Sequence, residues 1–157
     1  MTTRKTIIVY TDGSCLDNGK ENACGGWAAI LTCGNHRREI YGGEIGTKNN
    51  RMELKAAIEA VKLIKVPADV TIVTDSQYVC RCFSSMREWY NSGWKTKSGA
   101  KPKNLDLLQE LMEIGKAGHH KFHFQYVQGH SGHPENERCD ALARAEARAL
   151  QKVQVVE

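Results

Sequence analysis

Hydrophobic and polar residues alternate with two different periods along the 157-residue chain. Runs rich in β-branched and aromatic residues, closed by turn residues such as Thr11-Asp12-Gly13, are typical of strands. They predict five strands, over 5–10, 26–32, 36–43, 70–74 and 121–127. A turn at 33–35 joins the second strand to the third, which indicates a β-meander early in the chain.

Apolar residues three and four positions apart predict four helices, over 50–64, 77–83, 105–116 and about 134–151. In the first helix these residues share one face: Leu54, Ala57, Ile58, Val61 and either Leu63 or Ile64. Asn49 or Asn50 is a suitable N-cap for this helix, as the pair Asp75-Ser76 and the residue Asn104 are for the next two. Pro134 suits the first position of the last helix, where no backbone N–H is needed.

The order of these elements is typical of an α/β domain with a mixed sheet of about five strands. The chain contains no linker, repeat or low-complexity segment. We therefore expect a single domain over 1–157, with a core from about 5 to 150 and a short C-terminal tail over 151–157.

Composition favours an ordinary globular protein over a disordered or membrane-spanning one, since 41% of the residues are hydrophobic and 25% are charged. The net charge of +4 is compatible with a polyanionic partner but does not establish one. The apolar run at 7–10 is too short for a signal sequence or a membrane span. We expect a cytoplasmic protein that does not contact membranes.

Six cysteines stand at positions 15, 24, 33, 80, 82 and 139. Without a secretory segment we expect them to be reduced thiols. Cys80 and Cys82 are two apart in a predicted helix, so their side chains diverge, and no second pair has the spacing of a zinc finger. The sequence therefore disfavours a structural zinc site.

Four acids have settings that permit chemistry. Asp12 and Asp75 lie at or beside strand ends, Glu53 in the first turn of the first long helix, and Asp140 in an early turn of the last. Taken singly, each is more typical of a structural role, because helix dipoles and turns both favour acids at such places. The spacing of the four acids alone does not distinguish a structural role from a catalytic one.

The segments around these acids carry a specific resemblance. They read YTDGSCL at 10–16, NNRMELKAA at 49–57, VTDSQYV at 73–79 and GHSGHPENERCD at 129–140. In sequence and in order they resemble the four signature segments of bacterial-type ribonuclease H, the type 1 family, and the likeness extends over about 6–150. The resemblance implies a ribonuclease H-like fold, a mixed five-stranded sheet with helices on both faces. It also implies an endonuclease that hydrolyses the RNA strand of RNA–DNA hybrids, which we expect to be a monomer.

The resemblance further implies that Asp12, Glu53, Asp75 and Asp140 converge. Clustered carboxylates repel one another and need cations, and oxygen ligands favour Mg²⁺, with Mn²⁺ as a substitute. Two such ions would leave 5′-phosphate and 3′-hydroxyl ends, with Asp12 as the candidate bridging ligand. By the same resemblance His130, among the glycines of the late loop, is a candidate for proton transfer or product release, whereas His133 is structural.

Small polar residues near the acids correspond to positions that the family uses along the hybrid: Cys15, Asn18, Asn49, Asn50 and Gln77. Asn18 and Asn49 are equally typical of caps and turns. The chain departs from the family in the longer, charged turn at 18–25 and in Lys48, which stands where Thr is usual. Lys48 would replace a hydroxyl contact to a DNA phosphate by a charge.

The segment 86–104 is basic and aromatic and resembles the family's basic handle. Its candidate contacts to DNA are Trp89, Trp94, Lys95, Lys97, Lys101 and Lys103. Cationic groups neutralise phosphates and aromatic faces pack on sugars, which suits this role. The alternative is a solvated loop whose tryptophans pack inward.

Three other functions remain open at this point. The first is a related metal nuclease that acts on DNA, such as a Holliday-junction resolvase or a transposase core. Such families usually lack the NNRME segment and the Gly-His loop found here. The second is a non-catalytic module that binds hybrids, against which the four intact acids argue. The third is the nuclease domain of a reverse transcriptase.

Overall fold

A computed structural model describes residues 4–129 and 132–156 and contains every predicted strand and helix. The strands are β1 Lys5–Leu16, β2 Cys24–Cys33, β3 His36–Ile45, β4 Ala68–Thr74 and β5 Lys121–Tyr126. The helices are α1 Asn49–Lys62, α2 Gln77–Asn91, α3 Leu105–Ala117 and α4 Pro134–Val156. Among the described residues, no helix combines the length and the apolar character needed to cross a membrane.

The five strands form one mixed sheet in the order β3-β2-β1-β4-β5. β1 pairs antiparallel with β2 and parallel with β4, and β2–β3 and β4–β5 continue these two patterns. Alternate side chains of β2 face opposite layers: Ala29 packs with α1, whereas Ala28 and Ile30 pack with α4. The predicted fold, a mixed five-stranded sheet with helices on both faces, is confirmed.

β1 is longer than predicted, and this changes the setting of Asp12. Parallel pairing with β4 ends at Tyr10 opposite Val73, but antiparallel pairing with β2 continues to Leu16 opposite Cys24. Asp12 therefore lies inside a strand rather than near its end. It does lie beyond Tyr10, the last residue of β1 that pairs with β4.

Two helices also extend past their predicted ends. α2 continues to Asn91 because Val79, Cys82 and Met86 prolong its buried stripe at spacings of three and four, and it stops just before Gly93, whose φ is +75°. The first part of the 86–104 segment is therefore helical. α4 continues to Val156 instead of ending near 151, since the sequence beyond contains no glycine or proline.

The caps are only partly as predicted. Ser76 does cap α2, accepting from the Val79 N–H at 3.1 Å. α1 begins at Asn49 rather than after it, and the Asn49 N–H donates to Asn18 Oδ1, 31 positions earlier, at 3.1 Å. Asn104 precedes α3 at φ +59° without capping it through its side chain.

Gly26 of β2 sets how closely α4 approaches the sheet. A Cβ at this position would lie 1.9 Å from the Ala143 carbonyl oxygen and 2.9 Å from the Ala147 nitrogen. Both are backbone atoms, so only displacement of the helix could relieve the contact. Because Asp140 lies one turn before Ala143, this contact also helps to place Asp140.

We predict that Gly26→Ala lowers the free energy of unfolding by about 2–3 kcal/mol, the usual cost of overpacking against a rigid neighbour. Gly42→Ala is the matched control on the adjacent strand, because its Cβ would meet the ring of Trp27, at 2.6 Å, and not backbone. A partly exposed ring can rotate away, so we expect a loss below about 1 kcal/mol. Urea denaturation of both variants measures the difference, and equal losses would contradict the role given to Gly26.

Candidate active site

Two carboxylates meet where the parallel pairing of β1 with β4 ends. Asp12 follows the last residue of β1 that pairs with β4, and Asp75 directly follows β4. The carboxyl ends of adjacent parallel strands open at one edge of a sheet, which is a common place for a site. Asp12 is buried, with 6% of its surface exposed, and Asp75 is partly buried.

Glu53 comes from the first helix, which Gly13 allows to lie directly against β1. A Cβ on Gly13 would be 2.5 Å from the Glu53 nitrogen and 2.6 Å from the Met52 carbonyl carbon. Only glycine permits this approach of two backbones. The Gly13 N–H also donates to Asp12 Oδ1 at 2.9 Å, which orients that carboxylate.

Asp12, Glu53 and Asp75 form a close group, in which one oxygen from each lies within 4.8 Å of the other two. Asp140 lines the same pocket from α4 but lies outside this group. Its Oδ2 accepts a hydrogen bond from Arg144, one turn further along the helix. The structure thus brings the four predicted acids to one pocket as a close trio and a more peripheral fourth member.

Burial and mutual repulsion disfavour negative charge in this trio. Burial first, and then the charge of Asp75, raise the pKa of Asp12 from 3.8 to about 7. Burial, and then the charge of Asp12, raise the pKa of Glu53 well above its ordinary value. Near neutral pH the cluster therefore holds protons unless a cation replaces them.

The donor set fits a hard divalent cation. It consists of carboxylate oxygens alone, which Mg²⁺ and similar ions prefer. Glu53 Oε2 is buried without a hydrogen-bond partner among the described residues, and buried polar oxygens usually have one. A cation between the three carboxylates would give this oxygen a partner and would also relieve the repulsion among the negative charges.

Most of the predicted polar contacts surround the carboxylates. Cys15, Asn49, Asn50 and Gln77 all line the pocket. Asn18 instead uses its side-chain oxygen to cap α1. This contact corresponds to the capping role that the sequence offered for Asn18 as an alternative to substrate binding. Lys48 is exposed and lies immediately before α1, next to the pocket residue Asn49.

The handle segment divides into inward tryptophans and outward lysines. Trp89 and Trp94 are partly buried and pack against the cluster that contains Cys82, Met86 and Leu108, as the alternative interpretation expects. All four of its candidate lysines are exposed: Lys95, Lys97, Lys101 and Lys103. The exposed aromatic ring of the segment is Tyr90, which the sequence analysis did not select.

The late loop is described only in part. His130 lies outside the described residues. His133 is partly buried, and its ring centroid lies 5.3 Å from that of Tyr10, so it packs against β1.

Sequence reasoning missed Tyr78 and Arg144. Tyr78 lines the pocket, and its hydroxyl accepts from the Asn104 amide at 2.8 Å, which links α2 to the end of the handle. The position of Tyr78 inside the VTDSQYV segment, three residues after Asp75, could have indicated that it lies at the site. Arg144 follows Asp140 by four residues, a spacing at which helical side chains meet.

Comparison with known proteins agrees with this geometry. The family model for RNase H matches residues 4–148. A ribonuclease H of Nitratidesulfovibrio vulgaris, strain Miyazaki F, is 47% identical over 150 residues, which cover 92% of this chain and 91% of that protein.

Solved structures share the fold. LC9-RNase H1, a type 1 RNase H with the type 2 active-site motif, has a TM-score of 0.81 at 32% identity, over 95% of this chain and 75% of that chain. A foamy viral protease-reverse transcriptase in complex with an RNA/DNA hybrid has a TM-score of 0.74 at 18% identity, over 92% of this chain and 20% of that one. The second likeness concerns the fold alone.

The chain matches the family model over residues 4–148, and it matches a relative of similar length over nearly its whole extent. These two matches show that the chain belongs to the ribonuclease H family of endoribonucleases.

Proposed function

We propose that the chain hydrolyses the RNA strand of RNA–DNA hybrids by two-metal-ion catalysis with Mg²⁺, leaving 5′-phosphate and 3′-hydroxyl ends. The convergence of Asp12, Glu53 and Asp75 within 4.8 Å, in a pocket that Asp140 also lines, is the observation that carries this proposal. Mn²⁺ would substitute, because it also accepts oxygen ligands.

The four carboxylates would hold the two proposed ions in different ways. Asp12 is the candidate for contact with both, since only 6% of its surface is exposed and the charges of both Asp75 and Asp140 act on it. Glu53 and Asp75 would hold the ions in flanking positions, and Asp140 would help to hold the ion on the side of the attacking water. The bound ions would supply the positive charge that activates this water and stabilises the departing oxygen.

His130 is proposed to give a proton to the leaving group as the bond breaks, or to help release of the product. Histidine side chains in general can exchange a proton near neutral pH, which suits either step. Gly129, the described residue that precedes His130, would carry a Cβ only 3.0 Å from Asp75 Oδ2, so its backbone lies directly beside that carboxylate.

Recognition of the hybrid would use polar groups at the pocket and positive charge beyond it. Cys15, Asn49, Asn50 and Gln77 can reach the groove edges and the 2′-hydroxyls that distinguish RNA from DNA. Lys48 would meet a DNA phosphate. Since Asn18 is engaged in capping α1, its contribution would be to hold Asn49 in place.

The exposed lysines of the handle are proposed to grip the DNA strand away from the pocket. Their ammonium groups face solvent, where phosphates can reach them. Trp89 and Trp94 would offer only their exposed edges, because both also pack on the core.

We also propose that the protein is a cytoplasmic monomer with one domain over 1–157. The four carboxylates line one pocket within a single copy of the chain, so this site needs no residue from a second copy. A reducing cytoplasm would keep the six cysteines as thiols.

Asp12→Asn should reduce hybrid cleavage by about 1000-fold or more while leaving hybrid binding within about twofold, since Asn keeps the shape and loses the charge that holds the ions. Cleavage of a labelled hybrid with Mg²⁺ or EDTA measures the first effect, and binding without metal measures the second. Asp17→Asn, in the exposed loop after β1, is the matched control and should cleave normally. Duplex DNA and duplex RNA should remain uncut; retained activity of Asp12→Asn would refute the assignment.

Without metal, we predict that the stability of the wild-type protein falls as pH rises. The unfolded chain releases the Asp12 proton near pH 3.8 and the folded protein holds it to about pH 7, so folding takes up a proton between these values and loses stability through them. From about pH 5 to pH 8 in EDTA, Asp12→Asn should gain about 1–3 kcal/mol relative to wild type. Urea denaturation with Asp17→Asn as the control tests this, and Mg²⁺ at the higher pH should narrow the gap; a gap independent of pH would contradict it.

Changing Lys95, Lys97, Lys101 and Lys103 together to Gln should raise KM about tenfold at low salt and flatten its dependence on salt, because fewer counterions are then released on binding. The matched control changes Lys5, Lys65, Lys121 and Lys152, which are also exposed. Both variants have the same net charge of zero, four less than the +4 of the wild type. Steady-state cleavage at several salt concentrations separates them, and an equal rise in KM would place the effect in net charge rather than in the handle.

A further inference from the structure

A guanidinium lies against the fourth carboxylate of the pocket. Arg144 donates to Asp140 Oδ2 across one turn of α4. Among the described residues that line the main pocket there is no lysine or arginine, so this pair brings a positive charge to its margin from outside. Asp140 therefore lies between a carboxylate cluster that needs cations and an arginine that already provides one.

Asp140 is also freer to change partner than Asp12 and Glu53. Glu53 is held by the contact of its backbone with Gly13, and Asp12 by burial and by the Gly13 N–H. Asp140 and Arg144 are 23% and 48% exposed in their side chains, so a rotation at either would cost little packing. The backbone of α4 is fixed on the sheet meanwhile by its contact with Gly26.

We propose that Arg144 is a positioning residue that acts as an internal counter-ion, holding Asp140 outside the cluster in the metal-free enzyme and yielding it to a divalent cation on binding. The inference rests on the proposed function, since it assumes that Asp140 is a metal ligand. The ion pair and the cation compete for one carboxylate. Arg144 therefore lowers metal affinity and at the same time keeps the charge of Asp140 from adding to the repulsion in the pocket.

A double-mutant cycle measured by calorimetric titration of Mn²⁺ without substrate tests this competition. Arg144→Gln should raise Mn²⁺ affinity about two- to fivefold, the range expected for loss of a partly exposed ion pair. In an Asp140→Asn background the same change should have no effect, because the shared carboxylate is gone. Arg148→Gln, which removes an exposed arginine one turn further along α4, should leave the affinity nearly unchanged. Circular dichroism of the metal-free proteins checks that α4 remains folded.

An unchanged or lowered affinity in Arg144→Gln would overturn the inference. So would an equal gain in the Asp140→Asn background, or an equal gain in Arg148→Gln, because either would mean that the arginine acts through the general field of the helix. The Arg148 comparison decides the matter even if Asp140→Asn binds Mn²⁺ too weakly to measure. If wild-type protein binds no Mn²⁺, the proposed function itself fails; if it binds Mn²⁺ and cleaves hybrids, only the role of Arg144 is at issue.

Discussion

Repulsion between buried carboxylates is the constraint around which this molecule is organised. Asp12, Glu53 and Asp75 lie within 4.8 Å of one another, and burial removes the water that would screen them. A fold chosen only for stability would separate these charges or pair them with bases. Here the acids stay together, and the cost appears as raised pKa values for Asp12 and Glu53. The same unfavourable energy becomes affinity when a cation enters, because binding removes the repulsion.

The backbone, more than side-chain packing, keeps the acids together. Parallel pairing of β1 with β4 brings Asp12 and Asp75 to one edge of the sheet, and the absent side chain of Gly13 lets α1 deliver Glu53 to the same place. Such contacts cannot relax by a change of rotamer. The trio is therefore preorganised, so little of the binding energy of a cation has to be spent on assembling its ligands.

Local pattern was sufficient to predict the elements and their order, because the apolar stripes of α1 and α3 and the β-branched runs lie within single segments. It failed where partners are distant in sequence. The length of β1 depends on pairing with β2, and α1 is capped by Asn18 from another loop. For the site, the residues taken singly favoured structural roles for each acid, and the four signature segments together were needed to predict a cluster. Whether Trp89 and Trp94 face the core depends on how far α2 extends. The predicted helix ended at residue 83, before both tryptophans, whereas α2 continues to Asn91.

These contacts divide the site into a rigid centre and an adjustable margin. At the centre, substitution at Gly13 would disturb two backbones at once, so the positions of Asp12 and Glu53 leave little room for variation. At the margin, Lys48, the lysines of the handle and the Asp140–Arg144 pair are exposed and rest on side-chain contacts alone. Charge can be changed there without rebuilding the fold. The proposed metal affinity and grip on the hybrid can therefore be altered by substitution at the margin, whereas the geometry of the carboxylate trio tolerates little change.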